Sequence, residues 1–90
     1  MAGSITTHST LKKGMTGEAV AEMQRRLISL GYLKGAADGV YGTDTAEAVY
    51  NFQKRNGLVR DGVAGSKTLA KLYFYIAYLS IVVKVYETFA

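Results

Sequence analysis

The sequence contains no cysteine and only one histidine, His8. Without cysteine there are no disulfides, no thiolate nucleophiles and no cysteine-ligated metals. That absence suits either a reducing cytosol or a bacterial exterior that dispenses with disulfides. His8 falls in a polar leader, M-A-G-S-I-T-T-H-S-T, read as flexible over residues 1–10, where it marks no site. The leader has neither the basic n-region nor the apolar h-region of a secretory signal. HExxH, GxSxG, the P-loop and a carboxylate pair flanked by apolar residues are all missing. The residues therefore offer no catalytic centre, no metal site and no cofactor site. A large excess of one charge is also lacking. Eleven basic residues against seven acidic ones give +4, and Arg25-Arg26 and Lys54-Arg55 form separate pairs that read as solvated helix faces. This argues against nucleic acid as a partner, since dedicated binders cluster their charge. Ninety residues make one domain, which buries roughly 60–65% of its unfolded surface. Such a size suits a binding module better than a complete enzyme.

What the chain does contain is a repeated corner. D-G-V-Y-G-T-D-T, from Asp38 to Thr45, returns 23 residues later as D-G-V-A-G-S-K-T, from Asp61 to Thr68. Each aspartate can accept backbone N–H groups two residues on, as in an Asx-turn, and Gly39 and Gly62 can take positive φ without steric cost. Gly42 and Gly65 let the chain enter the next helix tightly. Turn formation thus explains Asp, Gly, Gly and Thr or Ser, but not Tyr41, which stands where the second copy has Ala64. An aromatic there is either a core plug or an exposed platform, and its large buriable area favours the core.

Three helices surround these corners. Val20, Met23, Leu27 and Leu30 share a face from about Gly17 to Leu30, with Thr16 as N-cap and Gly31-Tyr32 as the stop. The second helix follows the first corner, turning Ala46, Val49 and Phe52 or Gln53 to one side and stopping at Asn56-Gly57-Leu58. The third follows the second corner with Leu69 and Leu72 inward. Thr43 and Ser66 take matching N-cap positions. The loops between the helices are too long for the tight turn of a DNA-binding helix-turn-helix.

Taken together, L-K-K-G-M-T-G-E-A-V-A-E-M-Q-R-R-L-I-S-L-G-Y-L, D-G-V-Y-G-T-D-T-A-E-A-V-Y-N-F-Q-K-R-N-G-L and D-G-V-A-G-S-K-T-L-A-K-L closely resemble the bacterial peptidoglycan-binding domain family, type one. The resemblance covers about residues 11–72. It implies an all-α fold, a small three-helix bundle with a pseudo-repeat. It also implies a non-catalytic role: binding cell-wall peptidoglycan, through its stem peptide or adjoining sugar, and holding an attached murein hydrolase near its substrate. The setting it implies is extracellular, in the cell wall or periplasm. The family's DGxFG corner falls on Asp38, Gly39, Tyr41 and Gly42, its AFQ segment on Asn51, Phe52 and Gln53, and its second corner on Asp61, Gly62 and Gly65. The family's usual proline after that last glycine is Ser66 here, a change expected to act on helix capping. For a ligand of carboxylates and small methyl groups, the expected contacts are apolar walls from Tyr41 and Tyr50, a two-way hydrogen bond from Gln53, and a charge from Arg60. Against this, Gln24 and Gln53 read equally well as buried amides bonding the loop backbone, and Asp38 and Asp61 as turn formers.

Residues 73–90 lie beyond the resemblance and hold six of the ten aromatic residues. Ser80, Lys84, Glu87 and Thr88 form one narrow polar stripe if the segment is helical, although its Tyr, Ile, Val and Phe also favour strands. The stretch from Leu72 to Val83 is only 12 residues, short of the ~20 that a membrane span needs. Three readings stand: an additional helix covering the bundle, a surface for self-association, or a non-native extension. The preferred one is a helix continuing from the third and packing on the bundle or on another copy. A structural or assembly module using this tail is the alternative function.

Overall fold

The computed structural model describes residues 9–89, so residues 1–8 of the expected leader, His8 among them, lie outside the described residues. Three helices follow in order: α1 (Glu18–Ser29), α2 (Thr43–Arg55) and α3 (Ser66–Phe89). Among the described residues, β-structure is limited to two single antiparallel bridges, Leu11 with Ala64 and Thr16 with Val40. The all-α bundle with its internal repeat is the architecture the sequence implied.

Helical spacing sets the core. α1 turns Val20, Met23 and Leu27 inward, α2 turns Ala48, Val49 and Phe52, and α3 closes the interior with Leu69 and Leu72. Each large apolar side chain buried in this way contributes about 1.5–3 kcal/mol. Leu11, Leu33, Tyr41 and Ala64 join them from the connecting segments.

The helices stop where the sequence said. At the end of α1, the Tyr32 N–H donates to Leu27 O at 2.8 Å and the Gly31 N–H to Ile28 O at 3.0 Å, with Gly31 at φ 88°. This is a Schellman turn. α2 closes similarly, the Leu58 N–H donating to Gln53 O at 2.9 Å past Gly57 at φ 70°.

The helix starts differ from expectation. Gly17 and Gly42 hold the N-cap positions of α1 and α2 with no side-chain cap, while Thr43 and Ser66 are the first residues of their helices. The first helical carbonyls are those of Gly17, Gly42 and Gly65, which accept from Ala21, Ala46 and Leu69 at 3.1, 3.0 and 2.9 Å. Thr16 is taken by its bridge to Val40. A glycine N-cap costs only a few tenths of a kcal/mol against a polar one, so long-range pairing decides.

That pairing comes from the segment before α1, which straps across both corners. Leu11 exchanges two backbone hydrogen bonds with Ala64, at 3.0 and 2.8 Å. Met15 O accepts from the Tyr41 N–H, Tyr41 O from the Gly14 N–H, and Gly39 O from the Gly17 N–H, each at 2.9 Å.

α3 crosses the expected boundary at 72/73 without a break, so the tail is a continuation of the third helix and not a separate one. Among its described side chains only the first, Tyr73, packs on the bundle. Beyond Tyr73 every side chain described is exposed, including Phe74, Tyr78, Leu79, Ile81, Val82, Val83, Val85 and Tyr86. By length and composition alone, Ser66–Thr88 is long and apolar enough to cross a membrane. The shorter count from Leu72 to Val83 left out the start of α3, which places Leu69 in the core, and the residues from Lys84 onward.

Candidate functional site

Each corner is built around one buried amide from the preceding helix. In the first, Gln24 Nε2 donates to Asp38 Oδ1 (3.1 Å), Val40 O (2.9 Å) and Thr45 Oγ1 (2.9 Å), while Gln24 Oε1 accepts from the Gly39 N–H at 2.8 Å. In the second, Gln53 Nε2 donates to Asp61 Oδ1 (2.9 Å), Val63 O (2.9 Å) and Thr68 Oγ1 (3.1 Å). Gln53 Oε1 accepts from the N–H groups of Asp61 at 3.1 Å and Gly62 at 2.9 Å. The amide orientation follows from its neighbours, because the glycine N–H can only donate and the valine carbonyl can only accept. α1 thereby holds the hinge that starts α2, and α2 holds the hinge that starts α3.

The aspartates complete the hinges as Asx-turns. Asp38 Oδ1 accepts from the Val40 N–H at 2.9 Å and Asp61 Oδ1 from the Val63 N–H at 3.0 Å. These backbone donors first, and the glutamine amides second, hold both carboxyls below the ordinary carboxylate range. Gly39 sits at φ +77°, where a Cβ would meet Gly17 O at 3.2 Å, and Gly62 at φ +71°, where a Cβ would meet Ala46 O at 3.3 Å. Only glycine fits both demands.

Tyr41 joins the two corners. Its hydroxyl donates to Gly62 O at 2.6 Å and its ring is 1% exposed. Burial, with the Asp61 charge adding to it, pushes the phenol up to about 12. The first corner thus reaches into the second, whose own Ala64 meets the strap at Leu11.

Beside the hinges lie two shallow clefts. The first, about 370 Å³, is lined by Lys34, Asp38, Gly42, Thr43 and Asp44 among others, with Gln24 at its base. The second, about 310 Å³, is lined by Asp61, Gly65, Ser66 and Lys67, with Gln53 at its base and Val59 on its rim. Each faces the first turn of the helix that follows, where free backbone N–H groups favour anions, and each carries one lysine and one hinge aspartate.

The expected site residues divide accordingly. Asp38 and Gly42 line the first cleft, and Asp61 and Gln53 the second. Tyr41 cannot form a ligand wall, because it is enclosed in the core and anchored to Gly62. Gln53, 1% exposed, cannot offer the expected two-way bond, because both ends of its amide are engaged inside the hinge. Gly39 is also buried and donates its N–H to Gln24. Tyr50 and Arg60 are exposed but line neither hinge cleft. Among the described residues no group of three or more His, Asp or Glu converges as metal ligands would.

The sequence profile of the peptidoglycan binding domain family matches residues 16–72. The chain belongs to this family. Relatives of this peptidoglycan binding domain include the N-acetylmuramoyl-L-alanine amidase CwlM of Mycobacterium tuberculosis, 38% identical over 72 residues, which are 80% of this chain and 18% of that protein. The spore cortex-lytic enzyme of Bacillus cereus is 44% identical over 62 residues, 69% of this chain and 24% of that enzyme. The crystal structure of the SleB N-terminal domain superposes with a TM-score of 0.73 at 40% identity, covering 77% of this chain and 94% of that one. The chain therefore spans about a fifth to a quarter of the length of the two curated relatives.

Three features of the site carried no signal that was read in the sequence. Thr45 and Thr68 accept from the buried amides, yet look like ordinary first-turn residues of a helix. The strap at 11–17 has no periodicity to announce its pairing. Lys34 precedes its corner and Lys67 follows its own, so their matching places in the two clefts are set by the fold alone.

Proposed function

We propose that this domain binds the peptidoglycan of the bacterial cell wall without cleaving it, and holds an attached murein hydrolase against its substrate in the wall or periplasm. The observation that carries the reading is the family match over residues 16–72, together with the small share of two wall-lytic relatives that this module makes up. Its geometry is that of a rigid support. The polar interior of each hinge is fully paired, which fixes two clefts on its outer side, and only groups outside that network remain for a ligand. In this reading the hinge side meets the wall. Lys34 and Lys67 and the first-turn N–H groups of α2 and α3 take stem-peptide carboxylates, while the free oxygens of Asp38 and Asp61 accept from amide or ammonium groups. Arg60, between Val59 and Asp61 of the second cleft, adds charge at its edge. Tyr50, exposed on α2, offers a ring for a sugar or methyl face. Tyr41, Gln53 and Gly39 act by holding this surface in shape.

Co-sedimentation with purified insoluble sacculi tests the proposal. The folded chain is expected in the pellet, with Lys34→Gln/Lys67→Gln and Arg60→Ala variants shifting toward the supernatant and sacculus turbidity unchanged. A folded chain that stays wholly in the supernatant overturns the binding, and lysis of sacculi by this chain alone overturns the non-catalytic role.

A further inference from the structure

A surface hollow larger than either hinge cleft lies where α1 ends and α2 runs out. It measures about 560 Å³ and is lined by Gly31, Tyr32, Asn51, Lys54 and Arg55. A second hollow of about 300 Å³ shares Tyr32 and Arg55 with it and adds Leu30, Phe52 and Asn56. The pair therefore joins a basic, amide-bearing half to an apolar half.

The walls are fixed before any ligand arrives. The Tyr32 ring stands edge-on to Phe52, with centroids 5.3 Å apart and planes at 85°, and its backbone is held by the Schellman turn to Leu27. Asn56 Nδ2 donates to Phe52 O at 2.8 Å, closing the floor.

Among the described residues only Arg25 and Arg26 are ion-paired, with Glu18 at 2.7 Å and Glu22 at 4.0 Å. Lys54 and Arg55, like the remaining described basic residues, have no carboxylate within ion-pair distance, and these two line one hollow together. The macrodipole favours cations in the last turn of a helix, and both Lys54 and Arg55 lie in the last turn of α2. It does not account for an amide and a fixed ring lining the same hollow. The ends of α1 and α2 each bring about half a negative charge to this region. Two full positive charges outweigh them.

We infer that this double hollow is a subsite for a short peptide segment that ends in a carboxylate and carries a small apolar side chain. The Arg55 guanidinium takes the carboxylate in its two-pronged geometry with the Lys54 ammonium beside it, and the Asn51 amide meets a peptide group. The small side chain enters the apolar half over Leu30 and Phe52, against the face of Tyr32. The inference rests on the wall-binding reading for the source of such a segment, the murein stem peptide, and places a second contact away from the hinges.

The test is NMR titration of the full chain with three probes: N-acetyl-D-alanyl-D-alanine, its C-terminal amide, and inorganic phosphate. The acid is expected to move the Asn51 side-chain amide, the Arg55 Nε–H and the Tyr32 ring. Loss of the carboxylate in the amide, or a Lys54→Gln/Arg55→Gln double substitution, should weaken binding about tenfold or more, with the circular dichroism spectrum unchanged. No movement of these signals with the acid overturns the inference. Equal response to inorganic phosphate overturns the peptide assignment in favour of a general anion site. Sacculus retention separates the two proposals. If the parent chain is retained and the double variant equally so, this subsite falls and wall binding stands. If the parent is not retained but the acid still binds here, wall binding falls and the subsite stands.

Discussion

Replacing Gln24 by Met keeps the length and nearly the volume of a side chain that is 1% exposed, and removes only its amide. Two of the groups left behind, the Gly39 N–H and the Thr45 hydroxyl, have lost bonds that are buried. The other two partners, Asp38 and Val40 O, lie at the edge of the first cleft and regain water. A stranded buried polar group costs about 1–3 kcal/mol, so two cost about 4 kcal/mol in the middle of that range. A domain of this size has a total stability of about 5–13 kcal/mol, so the variant loses roughly a third or more of it. In Gln53→Met only the Thr68 bond is fully buried, and the expected loss is about 2 kcal/mol by the same reckoning. The two chemically identical substitutions should therefore rank, Gln24→Met being the more damaging. Urea denaturation followed by far-UV circular dichroism, with the slope against denaturant unchanged, gives both values. The reasoning is refuted if both variants stay within about 0.5 kcal/mol of the parent, or if Gln53→Met is the worse.

Three further outcomes follow from the same hinges and from the exposed tail. Gly39→Ala combines a positive φ with a Cβ 3.2 Å from Gly17 O and should cost about 1–3 kcal/mol in thermal unfolding, more than Gly35→Ala, where φ is +92° but nothing lies within 4 Å. Because the folded Tyr41 phenol titrates near 12 and an unfolded one near 10, its contribution is complete below pH ~10 and declines as pH rises through 12, by up to about 3 kcal/mol. Urea melts at pH 9 and 11 should show that decline in the parent and a smaller one in Tyr41→Phe. Removing residues 74–90 should leave the thermal midpoint of the bundle nearly unchanged, since the described side chains after Tyr73 are exposed. Sedimentation of the full and shortened chains should then show whether the apolar tail draws copies together, with equal monomer masses counting against self-association.

Local signals wrote most of the fold. The spacing of Val20, Met23 and Leu27 and the glycines at 31 and 57 act within a few residues, so they mark α1, α2 and both stops. Long-range pairing was not legible. Thr16 looks like a cap by its neighbours but is engaged with Val40, and the caps at Thr43 and Ser66 moved by one residue because glycine carbonyls start the helices. The corners were legible in their residue types, but the burial of their side chains was not. Asp38 turns the first corner at the surface, while Gln53 and Tyr41 face inward at the second, since a buried amide or phenol must find partners within the fold. Lys54 and Arg55 read as a solvated helix face, because nothing in sequence places Tyr32 beside them. The tail was legible as a helix but not in its exposure, because an apolar surface broken by only one narrow polar stripe says that a segment prefers cover without naming what provides it.

The most direct measurement of the central claim is chemical-shift mapping of the labelled chain with a soluble disaccharide-peptide fragment of the wall. The account predicts saturable shifts on the hinge side, at Lys34, Asp38 to Asp44 and Asp61 to Lys67, while Val20, Met23 and Leu27 stay still. A folded chain whose hinge residues do not move at any fragment concentration contradicts it.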